Sequence, residues 1–343
     1  MSAPQSAAML QLINGFHVSR ALYVAAKLGL ADLVSDGSKS CSELAAATKA
    51  DASALHRVLR VLASAGVFEL TSDQHVTKTE LSQTLESDSL GSLRAWATDQ
   101  LGGEHYLAWG ELLHSTMTGH NAFEYVFGKN AWNHRADNPQ SAHEFDEGMS
   151  SFIGAHNRAI LGAYSFADLD ILYDLGGGNG LLMETVLSAC PHLHGILLEQ
   201  AQVAQKAKLR FINTNLMSRC EVIEGNIFNS IPFNNTNKKV AYLLARVIHD
   251  WCDELALRIL KVCRQAMQIN DTLLIVDRIM PNIINVNLNT RALATSDLNM
   301  LIMTGGCERT KTQFSVLLES SDFIITSWHN TETVLSIIEA KAI

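Results

Sequence analysis

Hydrophobic and polar positions follow two regimes along the chain. Through residue 165 most apolar positions keep helical spacing; from residue 170 short apolar runs alternate with helical stretches. Leu10–Leu30 places Leu10, Ile13, Phe16, Val18, Ala21, Leu22, Val24, Ala25 and Leu28 at helical intervals, which predicts one helix. Its apolar face serves either as core or as a dimer face, because homodimer interfaces resemble a core cut in half. Ser40 and Glu43 form a capping box that opens a second helix. Asp51-Ala-Ser53 opens a third, with Leu55, Val58, Leu59 and Leu62 on its apolar face and Gly66 at its end. Val67–Leu70 with Val76 then predicts a small β-wing. This is the rhythm of a winged helix.

In the second regime Ile171–Leu175, Gly195–Leu198, Cys220–Val222, Val240–Leu244 and Thr272–Val276 read as strands. Leu181–Cys190, Val203–Asn213 and Leu255–Met267 between them read as helices. Phe323–Trp328 and Thr333–Ile338 read as a terminal hairpin. Such βαβ alternation predicts an α/β fold with a mostly parallel sheet covered by helices. The expected organisation is a winged-helix-like segment over 1–100, central helices over 101–165 and an α/β domain over 166–343.

Composition narrows the functional classes. With 343 residues, 47% of them hydrophobic and 18% charged, the chain is too apolar to be disordered. Its net charge of −9 opposes nucleic-acid binding. The winged segment is no exception: Lys39, Lys49, Arg57 and Arg60 are matched by Asp36, Glu43, Asp51 and Glu69, whereas a DNA reader needs surplus cations. No apolar run approaches the ~20 residues that span a bilayer. The first basic residue, Arg20, follows the leading apolar stretch, unlike a secretory signal. The six cysteines show no metal-type spacing and read as reduced thiols of a cytoplasmic protein. The thirteen histidines include no HExxH, so no metal is expected.

The sharpest local signal is Asp174-Leu-Gly-Gly-Gly-Asn-Gly180, between a strand and a helix. Ligands of open α/β sheets sit at such loops, where glycines let backbone amides approach closely. A dinucleotide fingerprint needs a third glycine where Leu181 or Met183 stands, which weakens a nicotinamide-reductase reading. A phosphate-cradling P-loop is excluded, since no Gly-Lys-Ser/Thr follows. The loop suits a ligand with an adenosine but no necessary pyrophosphate. Glu199 ends the next strand, where a carboxylate can accept from a ribose diol. After the third strand comes Gly225-Asn-Ile-Phe228. Asn226 could bond an adenine edge, and Ile227 or Phe228 could pack on its face.

His249 follows the strand Val240–Leu244, on the same sheet edge as the glycine loop, where a general base belongs. An unperturbed imidazole titrates near pH ~6.5. Asp277 ends the strand Leu273–Val276, and Glu308 precedes a capping box of Thr310 and Gln313. A buried carboxylate beside an imidazole fixes its tautomer, but spacing alone does not bring these three together. Trp96, Trp109, Trp132, Phe145, Phe152 and His156 in the central helices are candidates to line an apolar, ring-sized pocket.

Asp174–Gly180, Gly225-Asn-Ile-Phe, His249-Asp-Trp and Gly305-Gly-Cys-Glu-Arg-Thr occur in that order. Together they resemble the class I S-adenosylmethionine-dependent O-methyltransferases of the caffeate and acetylserotonin type. Microbial relatives that modify small secondary metabolites are the nearest branch. The resemblance spans nearly the whole chain. It implies a Rossmann-like seven-stranded methyltransferase domain and a homodimer through the N-terminal helices. It implies S-adenosyl-L-methionine over Asp174, Gly176 and Gly178, with Glu199, Gly225, Asn226, Ile227, Phe228 and Arg246 also contributing. His249 would deprotonate an acceptor hydroxyl, flanked by Asp277 and Glu308. Phe145, Met149, Phe152, Met300 and Met303 would lie toward the substrate. Ala245 departs from the plant pattern, which has Lys there, and Arg246 could substitute. Asn226 and Asp277 stand where many members carry Asp and Glu. N-methyl transfer, or decarboxylation, hydroxylation or pericyclic chemistry on the same fold, are the alternatives.

Overall fold

The computed structural model describes residues 3–89 and 91–343, without the side chains of Ala3, Phe152 and Ala155. The chain divides into two compact units, residues 1–107 with 138–153, and residues 108–137 with 154–343.

In the first unit the leading helix runs Ala3–Leu28. Its two ends differ. Ala21, Ala25 and Ala26 join a core with Leu30, Leu44, Leu55, Leu59, Leu62, Phe68 and Val76. Met9, Leu10, Leu12, Ile13 and Phe16 are each more than half exposed. The core reading therefore holds for the C-terminal end, while the apolar side chains of the N-terminal end are uncovered within the chain. The two capped helices follow at Cys41–Thr48 and Ala52–Ser64, with Ser40 and Asp51 as the caps. Strands β1 (Lys39–Ser40), β2 (Phe68–Leu70) and β3 (His75–Lys78) form an antiparallel sheet in the order β1-β3-β2. This is the expected wing.

The second unit is built on strands β4 (Ile171–Leu175), β5 (His194–Glu199), β6 (Cys220–Glu224), β7 (Val240–Ala245) and β8 (Thr272–Met280). A hairpin of β10 (Phe323–Asn330) and β11 (Leu335–Ala342) completes it. Seven strands lie in the order β10-β11-β8-β7-β4-β5-β6, and the short β9 (Arg309–Thr310) pairs with the end of β8 off this path. Strands β4 to β8 pair in parallel and β11 is antiparallel to β8. The fold expectation holds in this unit.

Both faces of the sheet are covered, which explains the continuous apolar runs. Tyr173, Tyr242, Leu244 and Ile275 pack on one side with Ile259, Leu260 and Phe314 of the helices. Leu172, Leu197, Leu243, Leu274 and Val276 pack on the other with Met183, Val186 and Phe211. The strand order reverses at β4: the chain runs outward through β5 and β6, then returns to β7 on the other side. Ligands of open sheets bind where strand order reverses, beyond the carboxyl ends of the strands.

The leading helix runs Ala3–Leu28, not Leu10–Leu30, and the last strand Leu335–Ala342, not Thr333–Ile338; the boundary that bears on the site is at Asp277. Asp277 does not end its strand. Thr272–Val276 extends to Met280: β11 pairs with it as far as Ser336 opposite Asp277 and Leu335 opposite Arg278, and β9 pairs with Ile279 and Met280.

Candidate active site

The ends of β4, β5 and β6 are tied side by side. Gly176 N donates to Leu198 O at 2.9 Å, and Gly225 N donates to Glu199 O at 2.9 Å. Asp174, Gly176, Glu199 and Gly225 thus lie along one edge of the sheet. Gly178 has φ 59°, and a Cβ built on it meets nothing within 4 Å, so the turn leaves open space above its backbone. Gly178 N donates to Glu199 Oε2 at 3.0 Å, and Gln200 N donates to Oε1 at 2.7 Å. The Glu199 carboxylate is thus held at the sheet edge by two backbone amides, beside the glycine turn. Asn226 is exposed and its Oδ1 accepts from Phe228 N at 2.9 Å. Its amide NH₂ remains the group that can meet a ligand. Ile227 and Phe228 are half-buried, and the Phe228 ring meets Trp251 edge-on at 4.7 Å.

Arg246 links this loop to the second cluster. Its backbone sits at φ 58°, a conformation that costs a non-glycine residue about 1–3 kcal/mol. Its N–H donates to Val276 O at 2.8 Å, and Nη2 lies 3.5 Å from Asn157 Oδ1. Burial lowers its pKa to about 10 against the opposing pull of the Asp174 and Asp277 carboxylates. Asp174 is pushed up to about 7 by burial, with Arg246 opposing. Asp174 Oδ2 and Arg246 Nη1 are buried with no hydrogen-bond partner among the described residues. A buried polar atom without a partner costs roughly 1–3 kcal/mol. These atoms, beside an open glycine turn, fit a ligand that carries both charges of an amino acid.

The second cluster centres on His249, in a 3-10 turn over Ile248–Asp250 just beyond β7. Gly176 and Val247 adjoin: a Cβ on the glycine would lie 3.2 Å from the valine methyl. His249, Asp277 and Glu308 do come together. His249 Nδ1 is 3.1 Å from Glu308 Oε1 and 3.7 Å from Asp277 Oδ1, and Nε2 is 4.0 Å from Asp250 Oδ1. Arg278 Nη1 and Ser296 Oγ also donate to Glu308 Oε1, at 3.4 and 2.7 Å. Burial alone would depress the imidazole, but the Asp277 and Glu308 carboxylates outweigh it and hold its pKa at about 9. Burial raises Asp277 to about 7 against the pull of His249, and raises Asp250 to about 6. Glu308 is held low by His249 and Arg278 despite its burial. The ring is thus a stronger base than a free imidazole.

Met300 and Met303 are buried on the helix Leu288–Met303, and Met303 packs with Ala108, Phe123 and Ile302. Phe145 and Met149 are half-buried in the first unit. The side chain of Phe152 lies outside the described residues. Arg278 and Ser296 join the site without having been singled out from the sequence, and Asp250 and Trp251, quoted there only as part of the His249 motif, join it too. Asp250 and Trp251 stand beside His249 in its motif and Arg278 follows Asp277, so adjacency was a usable signal for these three. Ser296 had none, because its helix carries a mixed polar pattern.

A family model for the O-methyltransferase domain matches residues 109–324, and one for the O-methyltransferase dimerisation domain matches residues 10–88. The phenazine O-methyltransferase PhzM of Lysobacter antibioticus is 36% identical over 342 residues, covering 100% of this chain and 98% of that one. The structure of the mitomycin 7-O-methyltransferase MmcR superposes with a TM-score of 0.92 at 31% identity, covering 99% of this chain and 98% of that one. The O-methyltransferase NcsB1 from neocarzinostatin biosynthesis, solved with S-adenosylmethionine and 2-hydroxy-5-methyl naphthoic acid, gives 0.83 at 29% identity, covering 95% and 96%. Fold, motif order and these likenesses agree: the chain belongs to the S-adenosylmethionine-dependent O-methyltransferases of the caffeate and acetylserotonin type.

Proposed function

We propose that this enzyme methylates a phenolic hydroxyl on a small aromatic or polyketide-like metabolite, with His249 as general base. The observation that carries the reading is the buried imidazole, hydrogen-bonded at Nδ1 to Glu308 and set directly after the strand that adjoins the glycine turn. With Nδ1–H donating to Glu308, Nε2 is the atom left to take a proton. S-adenosylmethionine supplies an electrophilic methyl group when bound. Asp174 and Arg246 would hold its charged amino-acid end, Glu199 its ribose, and Asn226, Ile227 and Phe228 its adenine, with Gly176, Gly178 and Gly225 leaving room for its approach. A base of pKa about 9 lies close to a phenol near ~10, so the proton passes between them with little free-energy difference. The relatives' names, which include a phenazine and a 3-amino-4-hydroxybenzoate 4-O-methyltransferase, support an aromatic acceptor. Met300 and Met303 would lie on its side of the site.

We further propose that the protein works as a cytoplasmic homodimer through its N-terminal helices, with no nucleic-acid or membrane partner. No helix among the described residues is long and apolar enough to cross a membrane. Residues 1–100, 101–165 and 166–343 would serve dimerisation, substrate enclosure and catalysis in turn.

Base catalysis contributes about 10²–10⁴-fold to such reactions. His249→Ala should lose turnover on that scale with a phenol acceptor, while calorimetry shows S-adenosylhomocysteine bound as before. Full activity in this variant would overturn the assignment and favour an acceptor that needs no base.

A further inference from the structure

We propose that Arg309 is a positioning residue: its buried guanidinium clamps the turn Ile248–Trp251 and so fixes the His249 ring against Glu308. The inference rests on His249 as the base. Among the described residues Arg309 heads the largest fully buried side chains, and it follows Glu308 directly. Nη1 donates to Ile248 O at 3.0 Å and Nη2 donates to Trp251 O at 2.7 Å, so the guanidinium grips the backbone on both sides of His249. Nε donates to Asp253 Oδ1 at 2.9 Å, and Nη1 also reaches Cys307 O at 3.4 Å.

The backbone of the same segment makes a second tie. Cys307 N donates to His249 O at 2.9 Å. Gly306 lies so close that a Cβ would run into the His249 carbonyl and the Asp250–Trp251 peptide. One short stretch therefore supplies the carboxylate for the ring, the guanidinium for its flanking carbonyls and a hydrogen bond to its own carbonyl. Stability is a weak reason for this arrangement, because burying a charge costs several kcal/mol before its partners repay it. Geometry is the better reason. A guanidinium is a rigid planar fork that can span two carbonyls, which a lysine ammonium cannot do in the same way.

The test uses full-length R309K, with D253N as the milder variant, since the Asp253 side chain is 78% exposed. The decisive readout is the titration of the His249 ring by nitrogen NMR, beside kcat, S-adenosylhomocysteine affinity and the melting temperature. The groups that set this titration are Asp277, Glu308 and Asp250, with Arg278 bonded to Glu308. In R309K the ring should separate from Glu308. Its midpoint should move down toward ~6.5, and kcat should fall by about 10²-fold, the scale of an ångström's misplacement. Donor-product affinity should change far less. D253N should shift the midpoint the same way by a smaller amount, and it decides the matter if R309K does not fold. An unmoved midpoint overturns the clamp, whether kcat holds or merely falls with the melting temperature. His249→Ala run alongside separates the two ideas. If it stays active, the base assignment fails, while the R309K titration still reports on the clamp.

Discussion

At the residue scale, the two carboxylates beside the imidazole are not equivalent. Glu308 Oε1 accepts from His249, Arg278 and Ser296. Asp277 lies 3.7 Å from the ring, and neither of its oxygens has a hydrogen-bond donor among the described residues. Glu308 orients the ring; Asp277 acts on it through charge. The sign of the pH dependence follows. A base must be neutral to accept a proton, and a pKa of about 9 leaves roughly one ring in a hundred neutral at pH 7. Activity should therefore climb with pH from neutral toward about 9. Removing either negative charge makes the imidazolium easier to deprotonate. The limb should shift to lower pH by about 1–3 pH units in Asp277→Asn and in Glu308→Gln. Only Glu308→Gln should also lower the alkaline plateau, because only it loses the strong orienting acceptor. Profiles of kcat/KM against pH distinguish these outcomes, and a limb that stays in place in both variants would refute the electrostatic account.

At the scale of elements, β8 is central to both the core and the site. Leu274 is fully buried between covered faces, so Leu274→Ala should cost about 2–5 kcal/mol. A large domain loses about 2–4 °C per kcal/mol, and scanning calorimetry should show a depression of roughly 5–20 °C. Little change would mean that this face of the sheet is loosely packed. The same strand marks the limit of what the sequence made legible. Its first half was readable because Thr272–Val276 is buried on both faces. The second half carries Asp277 and Arg278 and continues because β11 and then β9, both far along the chain, pair with it. The helix Leu288–Met303 was not anticipated at all, since its buried positions, Thr290 and then Met300, Ile302 and Met303, trace no apolar stripe. Ser296 and Asp297, which hold the Glu308 side chain and backbone, went unseen for that reason. The glycine turn, Glu199 and His249 were readable because each stands at or just beyond the end of a short, mostly apolar strand. Which acids would face the imidazole was not readable, because tertiary folding alone unites positions 249, 277 and 308.

For the molecule as a whole, the leading helix leaves Met9, Leu10, Leu12, Ile13 and Phe16 uncovered within one chain. A contiguous apolar face of this kind marks an association surface, and the matching family model is a dimerisation domain. Sedimentation should find a dimer at micromolar concentration, and Leu12→Asp with Ile13→Asp should release monomers. A monomeric wild type would exclude this face as the interface. The contact at Gly306 bears on how the chain can be re-engineered. Because the glycine leaves no room for a side chain against residues 249–251, the stretches 305–309 and 248–253 form a single joint. Chimaeras with related enzymes that exchange one stretch without the other would mismatch the joint. Crossovers should take both stretches from the same parent, and changes of acceptor preference are better sought in residues that do not touch it.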